Sequence, residues 1–448
     1  MSTVLRPVPG APRPYHFPAF ESHRLANGIE VVVAPVRLLP LVSIRIVVDA
    51  GARTESVEEA GVTALAVTAL AEGTTRLDGA SLAEEFEQLG ATLTTAASWD
   101  ASQVAATVLS DRLEPALRLL AEVVRSPAFP EREVVRLRDE RLSELLELRS
   151  EPRGLADERF AGLLYKGASR FSRPEAGAED TVSALTADAC RSWHSRVVAP
   201  HAITVIMAGD VEASHAADVV NEVLGSWSGA AEPLPVADDS PAHLARRVHI
   251  LHRPDAPQTE LRLGHVAVPR LHPDYFDIVV MNAILGGVFN SRINLNLRER
   301  NAYTYGAFSA FEWRCDAGPF TISTAVATDV TGAAVREVVS ELEKMRAGPP
   351  TLEELSLCTS YLDGVFPIRF ETTDAVAAAL AGLRIVGLPD DYYETYRPRI
   401  RSVTVESVAR AAQQHLHLDR LQILAVGDRQ RVEGPLRELG LGDVTVEA

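Results

Sequence analysis

Histidines, cysteines and acids at ligand spacing are the raw material of a metal centre. The twelve histidines and three cysteines of this 448-residue chain do not supply one by spacing alone. No His-x-x-Glu-His string occurs. His415 and His417 stand two apart in a predicted helix, so they face different sides and cannot chelate together. His249 and His252 lie on a predicted strand at odd separation and read as structural or solvent-facing histidines. Cys190, Cys315 and Cys358 are too few and too scattered for a thiolate site or a disulfide framework. A G-x-S-x-G elbow for a serine nucleophile and a phosphate-binding P-loop are also missing from the sequence. LRERNAYTY also holds an arginine and a tyrosine, Arg298 and Tyr305, seven positions apart. Arg298 ends a predicted helix whose core side is Ile278, Met281, Ile284 and Leu285. Asn301 is placed to terminate that helix, and Tyr305 starts the next strand. A guanidinium and a phenol presented to one space can both donate hydrogen bonds to carbonyl oxygens. On residue type alone, Arg298 is equally a solvated helix-end charge and Tyr305 equally a strand-packing residue.

The elements that would position these groups belong to an acidic globular chain. It has 61 acidic and 44 basic residues, a net charge of −17, with 46% hydrophobic and 23% charged residues. That balance argues against a nucleic-acid binder, which needs basic stripes. Length alone suggests about three domains. No uninterrupted apolar run approaches the roughly 18 residues of a membrane helix; the candidate LPLVSIRIVV is broken by Arg45. The first twenty residues hold five prolines and no apolar block, unlike a secretory signal. The expectation is a cytoplasmic protein.

The chain repeats itself. LTADACRSWHSRVVAPHAITVIMAGD (185–210) and VTVESVARAAQQHLHLDRLQILAVGD (403–428) align without a gap at an offset of 218 (403 − 185). In each, a threonine (Thr186, Thr404) is a predicted N-cap, an acid (Asp188, Glu406) sits in the first helical turn, and an apolar strand ends at Gly-Asp. Arg45 in LVSIRIVVDAG and Arg262 in TELRLGHVAV keep nearly the same offset, 217 (262 − 45). Two homologous halves follow, 1–230 and 244–448, joined by a Pro-, Ala- and Asp-rich linker at 231–243. Period-two stretches and intervening helical segments give an α+β class. Each half is expected to be an antiparallel sheet with helices on one face. Helices are predicted at 58–72, 80–89, 111–126, 131–150, 273–299 and 330–347, with strands at 304–313 and 318–327.

The element order, together with DAGARTE (49–55), AGVTALAVTALAEGTT (60–75), EP (151–152), VIMAGDV (205–211), ILGGVFNSRINLNLRERNAYTY (284–305) and GPFTIST (318–324), resembles the pitrilysin/insulinase family of zinc metallopeptidases. The resemblance is to the branch that includes the mitochondrial processing peptidases, and it implies their two-half metallohydrolase fold. That family carries His-x-x-Glu-His on the helix after DAGARTE, where this chain has Ala64, Val67 and Thr68. Glu144 falls where the family places its third ligand. The resemblance therefore implies a chain that is not a self-sufficient peptidase, with a degenerate motif and no zinc of its own. It also implies that Arg298 and Tyr305 bind the substrate backbone near the scissile bond, across a chamber from zinc. Arg292 reads as structural, holding the helix after the Gly286-Gly287 break. Bacterial members of the branch often pair a zinc subunit with one that keeps Arg/Tyr. The expectation is then a non-catalytic, substrate-binding subunit of a heterodimeric zinc peptidase. Zinc would sit in a homologous partner subunit and an extended peptide would be the ligand, with no nucleic acid and no membrane involved. The rival expectation is a proteolytically inactive scaffold, as family members are in a respiratory complex.

Overall fold

The chain forms two six-stranded sheets in a computed structural model that describes residues 13–447. The first contains β1 (Glu21–Arg24), β2 (Glu30–Pro35), β3 (Leu41–Val48), β4 (Thr94–Ala97), β5 (Ser102–Leu109) and β6 (Ile203–Gly209), in the order β1-β2-β6-β3-β5-β4. The second contains β7 (Arg247–His252), β8 (Gln258–Val266), β9 (Ala307–Phe311), β10 (Pro319–Ala327), β11 (Gln422–Gly427) and β12 (Asp443–Glu447), in the order β12-β7-β11-β8-β10-β9. Five strands correspond one to one, and the repeated segments supply β6 and β11 at the same place in each sheet. Thr186 and Thr404 cap their helices as expected, accepting from the backbone N–H of Ala189 and Ser407. The halves differ at one edge: β1 runs antiparallel to β2, whereas β12 runs parallel to β7.

The α+β class and the two homologous halves hold, but the sheets are mixed rather than wholly antiparallel. β6 inserts between β2 and β3, parallel to the first and antiparallel to the second, and β11 does the same between β7 and β8. Long helical crossovers precede both strands, and such a connection lets a returning strand run parallel to its neighbour.

Nor do helices cover one face only. Val31, Val33, Ile44, Val205 and Met207 pack on helices of their own half through Ala66, Leu117, Leu120 and Trp193. The opposite face, with Val32, Ala34, Val47 and Ile206, packs on Val376, Ala377 and Leu380 of the helix Thr373–Val386, which belongs to the C-terminal half. In return, the helix Pro152–Leu164 of the N-terminal half lays Ala156, Phe160 and Leu164 on Leu251, Val266, Leu424 and Val426 of the second sheet. Burial on both faces explains why β2 (EVVVAP) and β6 (ITVIMAG) are near-continuous apolar runs and not the period-two stretches of a half-exposed sheet.

An ion pair pins each exchanged helix. Arg45 on β3 donates to Asp374 at 2.7 Å, and Arg262 on β8 donates to Asp157 at 2.6 Å. The acids keep the same spacing as the arginines (374 − 157 = 262 − 45 = 217), so the duplication preserved the clasp as well as the strands. The join between halves, 227–246, is coil apart from a bridge between Pro241 and Tyr165. It is docked by hydrogen bonds from the Ala242 N–H to the Leu164 carbonyl (2.8 Å) and from the Ala317 N–H to Asp239 (2.9 Å).

The helix expected at 273–299 is interrupted. It runs as an α-helix over Tyr275–Asn282 and a π-turn over Ala283–Gly287. After a break it resumes over Arg292–Asn294 and ends in a second π-turn, Leu295–Arg300. Gly286 allows the close approach of β9, since a Cβ there would lie 2.4 Å from Ser309 Oγ. The region Tyr275–Arg300 is long and apolar enough to cross a membrane, with a mean hydropathy of 1.3. Its apolar side chains are already used, however: Ile278, Met281, Ile284, Leu285, Ile293 and Leu297 are buried in the C-terminal core.

Candidate functional site

The helix Val62–Ala69 begins at Gly61, whose φ of 100° suits glycine. Its free N–H groups are met by Glu55, from the DAGARTE string. The Glu55 carboxylate accepts from the backbone of Gly61 (3.0 Å) and Thr63 (2.6 Å) and from Arg170 Nε (2.7 Å), fully out of water. Sequence reasoning did not single out this anchor. The signal was a lone acid six positions before a glycine that opens a helix.

Ala64 and Thr68 face a cavity of about 240 Å³ between this helix and the helix Glu131–Ser150, which contributes Glu140, Arg141 and Glu144. The structure therefore brings together three of the four positions the resemblance singled out. Val67 is not among them: it is 1% exposed and packs into the N-terminal core. The groups these positions bring to the cavity are the Ala64 methyl, the Thr68 hydroxyl and the paired carboxylate of Glu144, with Glu140 and Arg141 beside them. Thr68 Oγ1 donates to the Ala64 carbonyl at 2.9 Å, and Glu144 accepts from Arg141 at 3.1 Å. Zinc needs three or four nitrogen, sulfur or carboxylate donors. Here there are two carboxylates and no imidazole or thiolate; Arg136 holds Glu140 and Arg141 holds Glu144, so a guanidinium stands where a cation would have to sit. These residues do not fit a zinc ion.

At the other candidate site, Arg298 lies in the π-turn Leu295–Arg300 with its guanidinium 4.7 Å over the ring of Phe289 and 3.6 Å from Glu299. Asn301 ends the turn as expected, donating to the Asn296 carbonyl (3.0 Å) and side chain (2.6 Å). Asn296 is itself held by Glu337 and Glu341. Ala302 follows at φ 53°. Tyr305 does not start the strand, which begins two residues later at Ala307. Thr304 folds its hydroxyl onto Gly306, accepting from its N–H and donating to its carbonyl, and this turn lifts Tyr305 out of the sheet. Tyr305 is 93% exposed. It borders a groove of about 200 Å³ with Arg153, Arg262 and Phe308. Asn294 Oδ1 accepts from the Ala307 N–H at 3.1 Å and fastens the helical segment to the strand start. Arg292 holds Glu354 with two bonds, 2.6 and 2.8 Å, the structural role expected of it.

His415 and His417 do not ligate together, though not as two faces of one helix: the helix ends at His415 and His417 lies beyond it. His249 lies between Gln422 and Thr445, and His252 accepts from the Arg429 N–H at the start of a helix. His417 meets His265; burial holds the first down to about 4 and the second to about 3. His415 turns away towards Asp274.

A duplicated α+β unit with exchanged helices, and a cavity between the helices Val62–Ala69 and Glu131–Ser150 of its first half, defines the metallopeptidase-like class, and the chain belongs to the insulinase family, peptidase M16. The family model described as "Insulinase (Peptidase family M16)" matches residues 36–171, and that described as "Peptidase M16 inactive domain" matches residues 184–360. Among its relatives, an uncharacterized zinc protease of Mycobacterium leprae is 26% identical over 401 residues, 88% of each chain. Another from Rickettsia felis is 24% identical over 327 residues, 73% of this chain and 78% of that one. Among solved structures, a peptidase M16 inactive domain from Pseudomonas fluorescens superposes with a TM-score of 0.85 at 26% identity, covering 91% of this chain and 98% of that one. A protease from Helicobacter pylori shares the fold, with a TM-score of 0.84 at 20% identity over 92% of this chain and all of that one.

Proposed function

We propose that this chain is the non-catalytic, substrate-binding subunit of a two-subunit zinc peptidase. Its partner is a homologous subunit that carries the zinc, and Arg298 and Tyr305 hold an extended peptide across the chamber between them. The observation that carries the reading is the contrast between the two candidate sites. The cavity beside Ala64 and Thr68 offers no ligand set, while the Tyr305 phenol stands in solvent on a turn that Thr304, Asn294 and Asn301 hold in place. A fixed turn that exposes a tyrosine costs an apolar ring its burial and is suited to contact with another molecule.

The chemistry of this chain's own residues is then positioning and hydrogen bonding. Arg298 donates to peptide carbonyls, and Tyr305 donates towards the oxygen that gains charge as a tetrahedral intermediate forms. The test is to purify the chain with a zinc-bearing M16 subunit and compare peptide cleavage by each alone and by the pair. Cleavage by the pair alone is expected; a zinc subunit fully active without this chain would contradict the reading.

A further inference from the structure

Three side chains that sequence reasoning left apart meet in the C-terminal half. His415 is the last residue of the helix Val405–His415, Asp274 immediately precedes the helix Tyr275–Asn282, and His272 lies in the turn before it. His415 Nε2 is 2.7 Å from Asp274 Oδ2, and His272 Nδ1 is 4.0 Å from the same oxygen. The two imidazole rings stand 4.8 Å apart at 80°. One ligand atom from each residue falls within 4.8 Å of the other two, the one such group of three among the described residues.

We infer that His272, Asp274 and His415 form a binding site for a transition-metal ion of zinc type. Two imidazoles and one carboxylate are the donor set that borderline cations prefer. Asp274 occupies the cap position of its helix, yet its side chain caps nothing and points to His415 instead. His272 Nδ1 accepts from the Asp274 backbone N–H at 3.2 Å, so this nitrogen carries a lone pair rather than a proton, and ligation there exchanges that hydrogen bond for the ion. His415 ends its helix, where the backbone dipole favours a cation.

Ligand atoms around a tetrahedral zinc stand about 3.3 Å apart, between the closest and widest spacings found here. Modest rotations of His272 and Asp274 complete the set. Their side chains are 27% and 34% exposed, against 9% for His415. One side is therefore open for entry of the ion and for a water as fourth ligand. Ligation through His415 Nε2 needs the tautomer that carries its proton on Nδ1. The ion would tie the start of the segment that leads to Arg298 to the end of the helix Val405–His415. This site shares no residue with Ala64, Thr68 and Glu144 and does not depend on the proposed peptidase pairing.

The experiment is calorimetric titration of the chelator-stripped full chain with Zn²⁺ alone, with thermal denaturation in parallel. The wild type should bind one ion and melt higher with zinc. His415 is buried, so its removal also affects folding; His272→Ala, at a partly exposed turn, is the cleaner variant. With circular dichroism unchanged, His272→Ala should weaken binding at least ~10-fold, a loss seen even for outer-shell partners. Glu144→Gln should bind as the wild type does. No saturable binding, binding unaffected by His272→Ala, or loss on Glu144→Gln would each overturn the assignment.

Discussion

Ala64 and Thr68 keep the orientation that a pair of ligands would need, and Val67 does not. Its side chain is buried in the N-terminal core, so a glutamate there would enter apolar surroundings without a partner. Val67→Glu should cost about 3 kcal/mol or more, measured as a fall in the denaturant midpoint; unchanged stability would mean the helix rotates to expose the site. A second residue-scale prediction concerns Glu354. Hydrogen bonds from Arg292 hold its carboxyl down at about 2, against 4.5 when free. A depressed folded pKa stabilises the protein above the unfolded value and less as pH falls through the folded one. The stability gap between wild type and Glu354→Gln should be widest above pH 4.5 and close as pH drops towards 2. Equal pH profiles would contradict that pairing. At this scale the sequence was legible where the family resemblance gave positions to compare. The positions of Ala64, Thr68 and Glu144 on one cavity, and the holding role of Arg292, could be read in advance. The cluster of His272 and Asp274 with His415 could not, because Asp274 and His272 lie 141 and 143 positions before His415 (415 − 274, 415 − 272), in the turn that leads into a different helix.

At the scale of elements, the repeated strands and their caps follow from local pattern, and the exchange of helices does not. An amphipathic stripe on Pro152–Leu164 or Thr373–Val386 says that one face must be covered; it does not say by which sheet. The arginines were visible as a repeat, but their partners show that the repeat records a clasp. Arg262 is 2% exposed and Arg45 is 13% exposed, while both partner acids reach solvent. Arg262 also donates to Glu260 at 2.9 Å. Arg262→Ala leaves a half-buried acid and a void and should destabilise by roughly 3 kcal/mol. Arg45→Ala should cost less, about 1 kcal/mol, as expected of a more exposed pair. Urea unfolding of the two variants checks the order, and a larger loss from Arg45→Ala would contradict it. The π-turns were equally hidden: Asn282 donates to the Ser309 carbonyl at 3.1 Å and Asn294 accepts from the Ala307 N–H at 3.1 Å, contacts that no local pattern announces.

For the whole molecule, the exchange revises what a half is. The sequence suggests two halves each with its own core, yet each sheet is finished by a helix of the other. Residues 1–230 alone would expose Val32, Ala34 and Ile206 on one side and Phe160 and Leu164 on the other. Large apolar faces of that kind are unstable in water. That fragment should lack a cooperative unfolding transition and bind hydrophobic dye; a sharp transition would show that the halves are independent. The shared core also means that the two candidate sites belong to one packed unit, which the proposed role as half of a peptidase chamber would use. The most direct measurement of that role is peptide turnover by the chain paired with a zinc-bearing M16 subunit, comparing wild type with Arg298→Ala. Losing one such donor typically costs about 10²–10³ in rate, so turnover should fall by that factor while the pair still elutes as a dimer. Unchanged turnover from an intact dimer would contradict the account and leave the chain as a scaffold.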